Sequence, residues 1–215
     1  MIEYQKIETV YNRDDKTHRV KVGELRMPEF GNIKLWTITE KVDGTNVRIC
    51  LSPDGSVFYG GRTDNAQMPV QLLNYLKEAF SADKLANAFE GPRDYDVILF
   101  GEGYGEKIQK GGGLYRKGVS FRLFDVLIGE WWLELDSISD IANKLGIRTV
   151  PILGRIDSLP ASLDALEILT HNQSMVAVED GGVGCVAEGI VARTSPLLFT
   201  RKGERLLWKL KFRDF

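Results

Sequence analysis

The chain has 215 residues, which suits one large domain or two small ones. Its 43% hydrophobic and 27% charged content is typical of a globular protein, and no apolar run approaches the ~18 residues of a membrane helix. The formal net charge of −2 excludes a generally basic nucleic-acid-binding protein, so any such contact must use a local basic patch.

The first half of the chain is predicted to contain three short strands followed by two helices. Alternating apolar residues predict the strands, with a turn at Pro53-Asp54-Gly55. Apolar residues at helical spacing then predict an amphipathic helix and a second, shorter one. These strands are predicted at residues 33–40, 45–51 and 56–60, and the helices at residues 68–80 and 83–89.

The second half is predicted to contain two buried strands, two helices and two further strands. The first of these helices ends at Gly146, a preferred residue after a last helical turn, and Ser137 or Ser139 is the candidate cap at its start. This order favours an α+β protein with antiparallel sheets. The elements are predicted at residues 96–100, 120–128, 137–145, 162–171, 186–192 and 206–212.

Lys41 lies between two predicted strands, in the sequence Thr39-Glu40-Lys41-Val42-Asp43-Gly44-Thr45-Asn46. Asp-Gly is a common hairpin signal, so a lysine on a surface hairpin is the simplest interpretation. An amine held at such a turn can also act as a nucleophile once it has lost its proton, which burial or neighbouring cations favour. The rest of the sequence has to decide between these interpretations.

Five further motifs follow Lys-x-Asp-Gly-x-Asn in a fixed order. In type and order the six motifs resemble those of the covalent nucleotidyltransferases, which are the ATP-dependent DNA and RNA ligases and the mRNA-capping guanylyltransferases. Asn46, the Gly-Arg-Thr string and the short spacing are most similar to the RNA ligases that seal nicks in duplexes, as found in phages. The five are Gly60-Gly61-Arg62-Thr63, Leu99-Phe100-Gly101-Glu102-Gly103-Tyr104-Gly105, Phe121-Arg122-Leu123-Phe124-Asp125-Val126, Glu188-Gly189-Ile190-Val191 and Trp208-Lys209-Leu210-Lys211.

The resemblance implies a fold with two packed antiparallel β-sheets and flanking helices, the ATP-grasp-like nucleotidyltransferase domain of ligases. It places the nucleotide between the two sheets. We expect residues 1–215 to form a single adenylyltransferase domain, without the C-terminal OB-fold or helical domain that many ligases carry.

The resemblance also implies a reaction. Lys41 attacks the α-phosphate of ATP, releases pyrophosphate and carries AMP, which then moves to a 5′-phosphate end and is displaced by a 3′-hydroxyl. Such displacements depend on positioning and on neutralised charge. Lys209 and Lys211, which strand alternation sends to one face, are expected to contact the phosphates. Glu188 is expected to bind Mg²⁺ or Mn²⁺, although a surface ion pair is the simpler interpretation of this residue.

The remaining site residues are also carried over from the resemblance. Their simpler interpretations are ordinary core packing for the apolar side chains, turn chemistry for Asp43 and Asn46, and surface ion pairs for the charged side chains. The glycines around Glu102 are expected to allow close approach of the backbone to a ligand. The expected contacts are the ribose for Glu102, the two faces of adenine for Phe124 and Val191, a phosphate or the ribose for Arg62, the adenine amino group for Glu40, and metal-bound water and the lysine loop for Asn46 and Asp43.

Residues 107–117 contain three glycines, four cations and one tyrosine, which predicts a mobile basic loop. We hypothesise that Lys110, Arg116 and Lys117 contact a nucleic-acid backbone, because phosphate contacts require no sequence reading. The alternative is a solvated loop without a ligand.

The sequence therefore predicts an ATP-dependent polynucleotide ligase, most similar to RNA ligases, that acts as a monomer on RNA or DNA ends in a nicked duplex. The alternatives are a minimal ATP-dependent DNA ligase, a GTP-using capping enzyme, and a non-catalytic module that binds nucleotides or nucleic-acid ends. With only two cysteines, Cys50 and Cys185, and no visible signal peptide, we expect a cytoplasmic protein without a disulfide framework.

Overall fold

Short helices are interspersed among strands along the chain, which confirms the predicted α+β class. The computed structural model describes residues 1–91 and 93–215. Within these residues the strands are β1 Glu8–Thr9, β2 Tyr11–Arg13, β3 Val20–Leu25, β4 Trp36–Lys41, β5 Thr45–Leu51, β6 Val57–Gly60, β7 Val97–Gly105, β8 Val119–Ile128, β9 Trp131–Trp132, β10 Arg148–Thr149, β11 Ile152–Ile156, β12 Gly189–Arg193 and β13 Leu207–Lys211. The helices are α1 Val70–Ala79, α2 Ala82–Ala88, α3 Gly112–Tyr115, α4 Leu135–Leu145, α5 Leu163–Thr170 and α6 Met175–Glu179, with 3₁₀ turns at Pro28–Asn32 and Phe212–Asp214.

The contacts of the chain divide it into two compact units. The first unit contains Met1–Tyr4 and Asp43–Val150, and the second contains Gln5–Val42 and Pro151–Phe215. In the described part of the chain, every helix is too short or too polar to cross a membrane.

The first unit is built on a sheet with the strand order β10-β8-β7-β5-β6, and β9 pairs with β8 at its side. Alternation along β5 sends Val47, Ile49 and Leu51 to one face, where helices α1, α2 and α4 cover them. The opposite face carries a smaller apolar cluster that includes Phe100 and Tyr4. Each fully buried Leu, Ile, Val or Phe contributes roughly 1.5–3 kcal/mol of transfer free energy, so these two clusters hold the sheet in place.

The second unit is built on a sheet with the strand order β1-β13-β12-β4-β11, and β2 and β3 form a separate hairpin. One face of the sheet carries a core in which Trp36 packs edge-on against Trp208, with their ring centroids 5.7 Å apart. Ile190 and Leu210 extend this core. The opposite face of β4, β12 and β13 is therefore free to carry polar side chains.

Three details differ from the sequence prediction. Helix α4 begins two residues early, at a Glu134 N-cap without a side-chain hydrogen bond, so neither Ser137 nor Ser139 caps it; it does end at Gly146, whose φ is 67°. Strand β7 continues five residues past Phe100, because β8 pairs with it along its whole length. Two strand pairs are parallel, β1 with β13 and β10 with β8.

Candidate active site

The predicted lysines meet on one face of the second unit's sheet. Strand β12 lies between β4 and β13, and its Gly189 is opposite Lys41 on one side and Lys211 on the other. Because side chains alternate along a strand, Lys41 and Lys211 both face away from the tryptophan core. Lys209 and Val191, which are paired across β12 and β13, lie on the same face.

Glu188 lies directly before Gly189 and bridges the two lysines. Its carboxylate accepts a hydrogen bond from Lys41 Nζ through one oxygen and from Lys211 Nζ, at 2.5 Å, through the other. Gly189 leaves room for this arrangement, since its φ is +157° and a Cβ there would meet the carbonyl oxygen of Leu210 at 2.0 Å. The backbone conformation and the close approach of β13 therefore require a glycine at this position of the Glu-Gly-x-Val motif.

The charges around Glu188 decide its protonation. Burial alone would raise the pKa of this carboxyl, but Lys41 and Lys211 outweigh burial and hold the pKa below its ordinary value. Glu188 is therefore an anion at neutral pH. In the described residues, no group of three or more His, Cys, Asp or Glu side chains is arranged to hold a metal ion.

Three of the predicted site residues share one face of the sheet in the first unit: Glu102 and Phe124, which were predicted to bind the nucleotide, and Asn46, which was predicted to orient metal-bound water and the lysine loop. Asn46 on β5 is directly opposite Glu102 on β7, and Phe124 follows on β8. The side-chain oxygen of Asn46 is buried and has no hydrogen-bond partner, although it is a strong acceptor. Phe124 is half-buried and packs against Tyr4, with their ring centroids 5.0 Å apart. Arg62 is exposed in the bend after β6.

The glycines that flank Glu102 have a packing role that differs from the expected one. A Cβ at Gly101 would meet the ring of Phe121 at 2.1 Å, and a Cβ at Gly103 would meet Leu72 at 2.5 Å. Both clashes are with the hydrophobic core of the first unit. Internal packing therefore accounts for these glycines without a ligand.

Glu40 is buried and engaged with a helix, a role that the sequence did not indicate. Its carboxylate accepts hydrogen bonds from Ser174 Oγ at 2.5 Å and from the backbone N–H groups of Met175 and Val176 at 2.8 and 3.1 Å. These groups form the start of α6, where backbone N–H groups lack partners within the helix. The carboxylate thus fixes α6 beside β4, and we do not include Glu40 in the proposed adenine site.

The Asp43-Gly44 turn that follows Lys41 is held by the basic loop. The backbone N–H of Asp43 donates to Tyr115 Oη at 3.2 Å, and Gln109 Nε2 donates to the carbonyl oxygen of Gly44 at 2.9 Å. Tyr115 is buried, whereas Gln109 is exposed. Sequence patterns did not single out either residue, because a lone Gln and a lone Tyr in a basic segment carry no spacing signal.

The basic loop also contains regular structure that was not predicted. Helix α3 lies within it, and Gly112 is needed at its start because a Cβ there would meet the carbonyl oxygen of Gly105 at 1.9 Å. Lys110 and Lys117 are exposed, and Arg116 is half-buried. The three cations proposed to contact nucleic acid therefore lie on a segment that is anchored by Gly112.

The RNA ligase family model matches residues 34–211, so the chain belongs to the RNA ligase family. No curated protein matches the sequence. Among solved structures, the fold is similar to that of Naegleria gruberi RNA ligase. One variant solved with ATP and Mn is 18% identical over 98% of this chain and 56% of that chain, with a TM-score of 0.66. A second variant with ATP and Mn is 17% identical over 99% of this chain and 56% of that chain, with a TM-score of 0.68. The protein with PPi is 18% identical over 98% of this chain and 56% of that chain, with a TM-score of 0.66.

This chain therefore spans a little over half the length of those solved proteins. At this level of identity, the similarity shows that the fold is shared. The nucleotidyltransferase fold of ligases predicted from the sequence is confirmed.

Proposed function

We propose that this chain is the adenylyltransferase part of an ATP-dependent RNA ligase in which Lys41 becomes covalently bonded to AMP. The observation that carries the proposal is the charged cluster of Lys41, Glu188 and Lys211, within the residues that the family model matches. The solved Naegleria structures with ATP and Mn, with AMP and Mn, and with PPi support the choice of nucleotide, metal and leaving group.

The first step forms a bond between Lys41 Nζ and the α-phosphorus of ATP and breaks the bond to the bridging oxygen, so pyrophosphate leaves with the electron pair. The ammonium of Lys41 must lose its proton before it attacks. Glu188 is a poor acceptor for that proton, because the two lysines hold its pKa low. Glu188 therefore orients the amine, and the proton passes to solvent. Lys211, and Lys209 on the same face, supply positive charge for the phosphates.

The later steps transfer AMP from Lys41 to a 5′-phosphate oxygen and restore the amine. A 3′-hydroxyl then attacks the adenylylated phosphate, and AMP leaves as the phosphodiester bond forms. These are again displacements at phosphorus, for which the protein supplies positioning and positive charge.

The residues present suit a divalent cation beside the phosphates. Mg²⁺ is commonly held by one or two carboxylates together with substrate phosphates and water, and Glu188 supplies one ionised carboxylate. When bound, Mg²⁺ or Mn²⁺ would neutralise charge on the phosphate oxygens.

The nucleoside part of ATP is assigned to the side chains predicted from the motifs. In this proposal Glu102 accepts from the ribose hydroxyls, Phe124 and Val191 contact adenine, and Arg62 contacts a phosphate or the ribose. The unpartnered side-chain oxygen of Asn46 lies on the same sheet face of the first unit as Glu102. It supports a polar ligand on this face, from which it would accept a hydrogen bond. The Asp43 turn keeps the backbone after Lys41 in place.

Intact mass after incubation with Mg²⁺ and ATP or GTP tests the proposal. Wild type should gain the mass of AMP with ATP only, and Lys41→Ala should gain nothing, while exposed Lys34→Ala should behave as wild type. Gain of GMP, or no gain by a protein shown to be free of AMP beforehand, contradicts the proposal.

The substrate of the later steps is proposed to be RNA ends in a nicked duplex, with the protein acting as a monomer in the cytoplasm. The cations of the basic loop, Lys110, Arg116 and Lys117, are proposed to contact the strand. Replacing Lys110, Arg116 and Lys117 by Ala should weaken RNA binding and leave formation of Lys41–AMP intact. Equal loss of adenylylation would instead assign the loop to the nucleotide site. The matched control carries Ala at the exposed residues Lys77, Lys84 and Lys144.

A further inference from the structure

A wide cleft, here called the N-terminal cleft, opens beside β13, the last strand of the second unit in sequence order. Its volume is about 640 Å³, and its walls come from β1, from the β2–β3 hairpin and from the segment Lys209–Asp214. Lys209 and Lys211 are among the residues that line the cleft. The cleft therefore shares these two lysines with the proposed phosphate-binding face.

The lining of this N-terminal cleft is basic, in contrast to the whole chain. Seven Lys or Arg side chains and four Asp or Glu side chains line it, an excess of three positive charges, whereas the chain carries a net charge of −2. Besides Lys209 and Lys211, the cations include Lys6, Lys21 and Arg213. This is the local basic patch that a nucleic-acid-binding protein of negative net charge requires.

Ion pairs order part of the cleft and leave other cations available. Arg13 Nη2 lies 2.7 Å from the buried carboxylate of Asp214, which also accepts a hydrogen bond from the backbone N–H of Lys211. This pair fastens the hairpin to the C-terminal segment and shapes the wall. Lys21 has only a 3.9 Å contact, with Asp14, and is exposed.

One carboxylate serves two further cations of the lining. Glu8 lies 2.8 Å from Lys6 Nζ and 3.6 Å from Arg26 Nε. The hydrogen bond from Lys6 and the nearby charges of Lys6, Arg26 and Lys209 lower the pKa of Glu8. Two cations share this one anion, so the group retains positive charge for an external phosphate.

We propose that the N-terminal cleft binds the sugar-phosphate backbone of the nucleic-acid strand, and this inference rests on the proposed ligase function. At ~30 Å³ per water molecule, the cleft has room for roughly 20 waters, which is far more than a pyrophosphate group fills. Its cations lie on several separate segments, which suits an extended anion better than a compact one. Phosphate contacts by Lys and Arg fix the register of a strand without reading its sequence.

Most of the cleft wall lies outside the residues that the family model matches, although Lys209 and Lys211 lie within them. The family model begins at residue 34 and ends at residue 211, so the hairpin and Arg213 lie outside the matched residues. The proposed contacts to the strand therefore come in part from these flanking segments.

The test replaces Lys21 and Arg213 by Ala, because both side chains are exposed and neither is part of the proposed catalytic cluster. The control replaces two equally exposed cations of the same unit, Lys34 and Arg201, and removes the same charge. Binding of a short fluorescein-labelled RNA duplex with one central nick is measured by anisotropy over a range of salt concentrations, without ATP. Formation of Lys41–AMP is measured separately by intact mass against ATP concentration.

The cleft variant should lower the slope of log affinity against log salt by about two, since each lost phosphate contact removes about 0.9. With an unchanged affinity at 1 M salt, this is a loss on the order of 50-fold at 0.1 M. The control variant should keep the wild-type slope, and both variants should keep the wild-type KM for ATP.

A raised KM for ATP in the cleft variant contradicts the proposal, because it assigns the cleft to the phosphates of ATP. A slope that matches the control also contradicts it, since the cleft is then only a solvated surface. If wild type forms no Lys41–AMP, the proposed function is wrong, while the anisotropy measurement still decides whether the cleft binds RNA.

Discussion

At the scale of single residues, Glu188 is the centre of the proposed active site. It holds the amine of Lys41 and that of Lys211 through separate oxygens, and Gly189 leaves the space between the lysine-bearing strands free of a side chain. The lysines in turn keep Glu188 ionised. The two amines are therefore positioned by Glu188, and the charge of Glu188 depends on the two lysines.

Glu40 acts at the same scale through packing. We expect Glu40→Gln to lower the free energy of unfolding by about 3 kcal/mol, because an amide cannot accept all three hydrogen bonds that the buried carboxylate accepts from the start of α6. Urea unfolding measures the loss. The control is Glu78→Gln, since Glu78 is exposed on α1. Equal stability of the two variants would show that α6 does not depend on Glu40.

At the scale of elements, the turn after β4 is held by a distant segment. The ring of Tyr115 packs against Tyr104 with centroids 5.9 Å apart, while its hydroxyl accepts from the backbone of Asp43. Gly44 allows this turn to approach β7, because a Cβ there would meet the carbonyl oxygen of Gly103 at 2.3 Å. The basic loop therefore positions the backbone next to the proposed nucleophile.

Tyr115→Phe tests this role, since it keeps the ring and removes the acceptor. The rate of Lys41–AMP formation should fall roughly tenfold at unchanged KM for ATP, because small misplacements of a reacting group are costly. The control is Tyr59→Phe, which removes a hydrogen bond to the carbonyl oxygen of Phe80 in the same unit. Both variants should lose about 1 kcal/mol of stability. An adenylylation rate equal to that of the control would refute a positioning role.

The elements also show what the sequence could and could not predict. Strand β5 was predicted with its observed bounds, because an Asp-Gly turn precedes a run of strand-forming residues and Pro53 follows it. Strands β1 and β2 were missed because they are only two and three residues long. Strand β3 has six residues and was missed because Gly23 and Glu24 interrupt its alternation of apolar and polar residues. Helix α6 was missed because it is only five residues long, although Ser174 caps its start locally. The contacts that Glu40 makes with this start come from 134 residues earlier in the chain, and local patterns do not reveal them. The motifs singled out Lys41, Lys211 and Glu188, which the structure brings together, whereas Tyr115, Gln109 and the cleft depend on tertiary structure.

At the scale of the whole molecule, the charge on Glu188 links stability to pH. Its pKa is lowered in the folded state from an ordinary value of 4.5, so in acid the unfolded chain binds more protons and folding stability rises with pH. The contribution of Glu188 is fully present above pH 4.5 and is lost as the pH falls through the folded-state pKa.

We therefore expect the difference in unfolding free energy between wild type and Glu188→Gln to be constant near neutral pH. It should shrink as the pH is lowered below 4.5, where the carboxyl of the unfolded wild-type chain becomes protonated. Urea unfolding at a series of pH values measures it. A difference that grows in acid would mean that the lysines do not hold the carboxylate ionised in the folded protein.

Strand β13 is an interior strand of its sheet, between β1 and β12, although it is made of residues 207–211. During synthesis the first unit can form once residue 150 has left the ribosome, because nearly all of it is one continuous stretch. The sheet of the second unit must wait for residue 211, which carries one of the two lysines of the last motif. If a ribosome stalls shortly before residue 207, the nascent chain already contains Lys41, the proposed nucleophile. It still lacks β13, the strand that pairs with β1. Under the proposed function such a nascent chain would be inert toward ATP, and Lys41–AMP would form only after translation has passed the last motif.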